Sequence, residues 1–212
     1  AGTLGDPGMA ERLWFWGYSI SMLVAAVISP ILGAVADARA KKRQFLIIST
    51  LICVVSTGLL ALVGPGDVAL GLVLFGIANI AFDLGFLFCS AFLVELVSAQ
   101  QMGRLSGYGW GLGYMGGLLS LALAFPFISG GFAEANQPLY RLSFLVTAIF
   151  FLVSALPTFF WLKERAVPRP EEESRLSWRD TVVRLRGTFG QLRRYRDLFL
   201  YLIAYLIYTD AI

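Results

Sequence analysis

Five times in succession the chain runs for about 20 or more residues with almost no charge, and each run stops at a polar or Gly/Pro-containing connection. The runs are Leu13–Ala36, Phe45–Val63, Val68–Val97, Leu105–Ile128 and Leu142–Leu162, and Asp83 and Glu95 are the only charged residues in them. A helix of about 20 apolar residues crosses the roughly 30 Å of hydrocarbon in a bilayer. Lipid offers no partner to an exposed peptide group, so a spanning run must satisfy its own backbone, and an α-helix does this within one segment. The pattern therefore predicts an all-α, polytopic transmembrane helical bundle. A sixth run, Leu198–Ile212, has 15 residues up to the end of the sequence and reads as a truncated span. Composition agrees: 58% of residues are hydrophobic and 15% charged, against about 45–50% and about 25% in soluble domains.

Threading these runs alternately through a membrane sorts the basic residues. One side receives Arg39, Lys41, Lys42, Arg43, Arg104 and every Lys and Arg of the long connection Lys163–Asp197, together 15 of the 17 basic residues; the other receives Arg12 and Arg141. By the positive-inside rule the first side is cytoplasmic. The net charge of +3 thus reflects topological anchors. The expected partner is the lipid bilayer, with no nucleic acid.

Histidine is absent, and Cys53 and Cys89 each lie inside an apolar run, where they read as buried free thiols. The sequence accordingly offers no metal site, no disulfide framework and no catalytic cluster. Neither a cofactor nor enzymatic activity is expected. Within the long connection, Pro168, Pro170 and Glu171–Glu173 have the composition of a solvated linker. From Ser177 onward, Trp178, Val182, Leu185, Phe189 and Leu192 recur at helical spacing, which predicts an amphipathic helix over 177–195. It lies either on the membrane surface or on the ends of neighbouring helices.

The segment Gly107–Gly117, GYGWGLGYMGG, contains Gly111-x-Gly113-x-x-Gly116, the spacing of a dinucleotide-binding fingerprint. That fingerprint needs a strand before it and an open helix N-terminus after it; in this chain a turn precedes and an apolar run follows. Gly109, Gly113, Gly116 and Ser120 instead fall on one narrow helical face, the arrangement that lets a neighbouring helix approach closely in lipid.

The first span closes with Gly33, Asp37, Ala38, Arg39, Ala40, Lys41, Lys42 and Arg43. Read alone, this is a helix ended by an acid and a basic turn. The spacing of Gly33, Asp37, Lys41 and Lys42 resembles the Gly-xxx-Asp-(Arg/Lys)-x-Gly-(Arg/Lys)-(Arg/Lys) loop of the major facilitator superfamily, with Ala38 and Ala40 departing from it. Gly103–Gly117 is similar to the start of the fifth helix of that superfamily's vacuolar amino-acid effluxer-like branch. Ala78–Asp83 and Ser90–Leu93 are similar to its fourth helix, and Leu200–Asp210 to the opening of its seventh.

The resemblance implies a secondary active transporter of a small-molecule substrate, with amino-acid efflux by alternating access and proton coupling. It implies that the 33–42 loop latches the cytoplasmic side. The sequence would then run from helix two to the start of helix seven: residues 1–163 as five helices of the N-terminal half, 164–197 as the central cytoplasmic loop, 198–212 as the first helix of the C-terminal half. The remainder of the same transporter chain would complete the carrier, in a bacterial inner membrane. A non-transporting scaffold or receptor on the same fold stays open, because fold does not prove function.

Charges inside a span cost about 2.5–3.5 kcal/mol on insertion scales, so each asks for a reason. Asn79, Asp83 and Ser90 share one helical face. They serve either a substrate or proton pathway or hydrogen bonds to a neighbouring helix; Asp210 is a second carboxylate for the pathway. Tyr18, Ser21 and Ser29 form a mild polar stripe on the first span. Glu95, near a span end, is expected in an interfacial ion pair with Arg39 or Arg104.

Overall fold

A computed structural model describes residues 7–64, 66–130 and 134–164, together with the single positions 187, 200 and 204. The chain divides into two units, Ala1–Pro168 and Arg169–Ile212. The second holds only those three single positions, and every helix named below belongs to the first. The amphipathic stretch 177–195, the sixth run 198–212 and Asp210 lie outside the described residues.

Five helices follow one another: α1 Pro7–Arg39, α2 Lys42–Leu59, α3 Val68–Leu96, α4 Ala99–Ile128 and α5 Gln137–Trp161. All five are long and apolar enough to cross a membrane, and no strand occurs among the described residues. The chain is an integral, multi-pass membrane protein. Each expected run became a helix, but α1, α4 and α5 start five or six residues earlier than their apolar runs. At 1.5 Å per residue α1 measures roughly 50 Å, more than the hydrocarbon requires. Helical hydrogen bonding simply continues into the wet interface, where Glu11, Arg12, Gln100 and Gln101 are exposed.

The turns explain the hairpins. Between α2 and α3, Gly66 adopts φ +98°, a left-handed conformation that glycine takes without a Cβ clash. Asp67 folds back there, its Oδ2 accepting from the Gly64 N–H at 3.2 Å. The expected connection Ser98–Arg104 shrinks to Val97 and Ser98, because the polar residues after Ser98 already form the first turns of α4.

α3 occupies the centre, packing on α1 and α2; α2 also packs on α5, and α5 on α4. Small residues make these crossings. A Cβ on Gly17 would stand 3.0 Å from Leu72 Cδ2, one on Gly58 3.9 Å from Ala148 Cβ, and one on Gly85 3.5 Å from Ser49 Oγ. The apolar core is small and sits at the basic end: Ala36, Leu46, Phe88 and Phe92, with Phe45, Leu84 and Leu162 packed against them. Elsewhere large side chains such as Trp16, Leu23, Val55, Val73, Leu118 and Val153 point outward. In water such a surface would drive aggregation; in a bilayer it is the lipid-facing side.

Candidate functional site

Two groups of polar residues stand out, one at the basic end of the bundle and one within the spans. At the basic end α1 stops at Arg39, and Ala40 turns the chain with φ +49°. The Lys41 N–H then reaches back to the Ala36 carbonyl at 3.1 Å. Ala40 occupies the position where the superfamily loop has its second glycine, and the left-handed conformation is why glycine suits it. An L-residue there costs about 1–2 kcal/mol, partly offset in a glycine variant by the greater freedom of its unfolded chain. Ala40→Gly is expected to stabilise the protein by about 0.5–1 kcal/mol, read as a raised unfolding midpoint in detergent.

This reversal places Lys42 between two helices. Its Nζ lies 2.7 Å from Asp37 Oδ1 on α1 and 2.7 Å from Glu95 Oε1 on α3. Glu95 thus pairs with Lys42 and not with Arg39 or Arg104, since the tight turn carries the first residue of α2 to the end of α3. Arg104 instead donates from Nε to Tyr108 Oη at 3.1 Å, one turn along α4. Lys41 provides the N-cap position of α2 without a side-chain cap, and its ammonium joins neither carboxylate among the described residues. Gly33 lies where a Cβ would meet Leu87 Cδ2 at 3.8 Å, so α1 and α3 run close beside this cluster.

The missing cap comes from α5. Glu164, just past that helix, accepts from the backbone N–H groups of Lys42 at 2.7 Å and Arg43 at 3.2 Å. These are donors that the first turn of any helix leaves without an intrahelical partner, and a carboxylate there also meets the positive end of the helix dipole. Arg43 in turn donates from Nη2 to the Phe159 carbonyl. Sequence reasoning missed Glu164 and Arg43, for their partners lie more than a hundred residues away and no local pattern marks them. Glu164→Ala is expected to destabilise by about 1–2 kcal/mol, the usual scale for a lost cap. Glu164→Gln should recover part of that; both are read as unfolding midpoints.

Within the spans, Asn79 donates from Nδ2 to Ser21 Oγ at 2.8 Å, and Ser21 passes its own hydrogen to the Tyr18 carbonyl at 2.7 Å. Ser21 is buried, so this part of the α1 polar stripe satisfies a neighbour. Asp83 follows Asn79 by one turn and precedes Leu87, both of which meet α1. Its half-buried carboxylate accepts no hydrogen bond and makes no ion pair among the described residues. Ser90 is exposed and belongs to a different wall, a crevice of ≈ 500 Å³ between α3 and α4. Of the three residues on this face, Asn79 reaches Ser21 on α1 and Ser90 lines the α3–α4 crevice.

A second cavity, ≈ 420 Å³, is walled by α2, α3, α4 and α5 and lined by Cys53, Cys89 and Gly113 among others. Cys53 is buried as expected, whereas Cys89 is exposed, because it opens onto both hollows. Gly109, Gly113 and Gly116 meet nothing: no described atom lies within 4 Å of a Cβ built on any of them. Ser120 is half-buried. No residue of α4 is buried, and Gly109 and Gly113 face α3 across the crevice rather than touching it.

Comparison with known proteins supplies the context. Residues 13–212 match the family model described as vacuole effluxer Atg22 like. The chain is also 29% identical over 209 residues to the uncharacterized MFS-type transporter YxiO of Bacillus subtilis (strain 168), covering 96% of this chain and 48% of that protein. The chain thus spans about half the length of the curated relative it matches. No solved structure matches it significantly.

Proposed function

The chain belongs to the vacuole effluxer Atg22-like family, and on that premise we propose that it forms part of a secondary active transporter moving a small solute by alternating access. Amino acids are the proposed solute class, exported through a bacterial inner membrane with the basic loops cytoplasmic. Residues 1–163 supply the five-helix part of one half, 164–197 the central loop with an amphipathic helix over 177–195, and 198–212 the first helix of the other half. The remainder of a longer chain completes the site.

Asp83 is the observation that carries this reading. A carboxylate within a span is costly enough to need a reason, and structural hydrogen bonding does not supply one at this position, since the Asp83 carboxylate has no hydrogen bond or ion pair among the described residues. A group in that situation suits reversible protonation, or a donor brought by the solute. The Asn79 side chain spends its amide on Ser21, which leaves its Oδ1 as a further acceptor beside Asp83. Asp210 is the proposed second carboxylate of the pathway, and Ser90 a further polar residue proposed for it. The network of Asp37, Lys42, Glu95 and Glu164 supports a gating role for the loop that begins at Gly33, because it ties four helices at one end.

The test is solute uptake by the full-length protein in proteoliposomes, using a panel of radiolabelled amino acids with and without an imposed proton gradient. Gradient-dependent accumulation of at least one of them supports the proposal. Absence of both accumulation and exchange across the panel would count against it.

A further inference from the structure

The cavity between α2, α3, α4 and α5 has a cation at its rim. On α2 it is lined by Leu46, Thr50 and Cys53, and Arg43 stands one turn before Leu46 on the same face. Cys53 lies eleven residues past Lys42, roughly 16 Å along the helix axis, so the α2 wall stays within the leaflet next to the basic end. The half-buried Arg43 guanidinium donates from Nη2 to the Phe159 carbonyl, and Phe159 itself lines the cavity. Its Nε is buried with no hydrogen-bond partner. No carboxylate pairs with it among the described residues, since the oxygens of Glu164 accept from backbone N–H groups of α2.

An incompletely used guanidinium at interface depth, beside an apolar chamber inside one leaflet, matches an amphiphile with an anionic head and a hydrocarbon tail. Guanidinium is suited to phosphate oxygens through paired N–H donors, and the exposed Arg39 and Lys41 nearby favour net negative charge at the headgroup. Access exists from the side. The α3–α4 crevice shares Phe82, Phe86, Cys89 and Gly113 with the cavity, and α4 packs only loosely on α3. We propose that an anionic phospholipid of the leaflet next to the basic end binds at this cavity, with its phosphate on Arg43 and one acyl chain in the chamber. This binding does not depend on what the protein transports.

The full-length protein, purified in detergent, would be offered phosphatidylglycerol and phosphatidylcholine of identical acyl chains, and retained lipid counted by native mass spectrometry. About fivefold preference for the anionic lipid is expected, the factor for one basic residue at a membrane surface. Arg43→Gln should remove the preference, and Ala155→Phe, which fills the cavity from α5, should weaken retention of both lipids. Should Ala155→Phe fail to fold, alkylation of the exposed Cys89, which lines the same cavity, reports the site in a Cys53→Ser background: phosphatidylglycerol should slow it, and glycerol phosphate alone should not. Equal retention of the two lipids, an unchanged preference in Arg43→Gln, or Cys89 alkylation that phosphatidylglycerol leaves unchanged would overturn the proposal.

Discussion

Replacing Lys42 with methionine is expected to destabilise the protein by about 2–4 kcal/mol, the scale for removing one partner of a largely buried ion pair. The ammonium serves two carboxylates that differ in exposure. Asp37 is about half exposed, at 52%, and regains water when Lys42 is lost. The Glu95 side chain is only 14% exposed, so losing the ammonium costs more there than at Asp37, and most of the effect arises there. That reasoning makes a second, sharper expectation. Lys42→Met combined with Glu95→Met should recover most of the loss, because replacing a whole buried pair by apolar residues is often close to neutral. The four unfolding midpoints of the wild type, both single variants and the double variant give the coupling between the two residues directly. Losses in the two single variants that simply add in the double variant would show that the Lys42–Glu95 contact contributes little.

The spans were legible in the sequence because lipid imposes a length and forbids an unsatisfied backbone, and both constraints act on composition alone. The ends of the spans were less legible. Arg104 reads as a turn residue from its charge, yet it lies in α4, where a wet interface tolerates it and Tyr108 one turn later receives its Nε hydrogen. The glycines show a different limit. Their density marks α4, but the close crossings are made by Gly17, Gly58 and Gly85 on other helices; glycine content does not say which face another helix meets. Ser21 and Asn79 were each visible as polar residues in spans. Their pairing was not, since it depends on the register between α1 and α3. The basic loop was recognisable from Gly33, Asp37, Lys41 and Lys42, whereas its anchoring by Glu95 and Glu164 comes from helix ends far along the chain. Ala40 joins the two levels: a departure from the loop pattern in sequence becomes a left-handed residue in structure.

Asp83→Asn carries the largest expected functional effect. Asparagine matches aspartate in size and keeps an acceptor oxygen beside Asn79, but it cannot take up and release a proton in the physiological range. It also removes the charge from the span, so the variant should insert and fold at least as well as the wild type. A loss of transport would then reflect the missing titration rather than misassembly. The discriminating comparison uses the full-length protein in proteoliposomes, with gradient-driven accumulation and solute exchange measured on the same preparation. Asp83→Asn is predicted to abolish proton-driven accumulation while exchange persists; accumulation equal to that of the wild type would contradict a coupling role for Asp83.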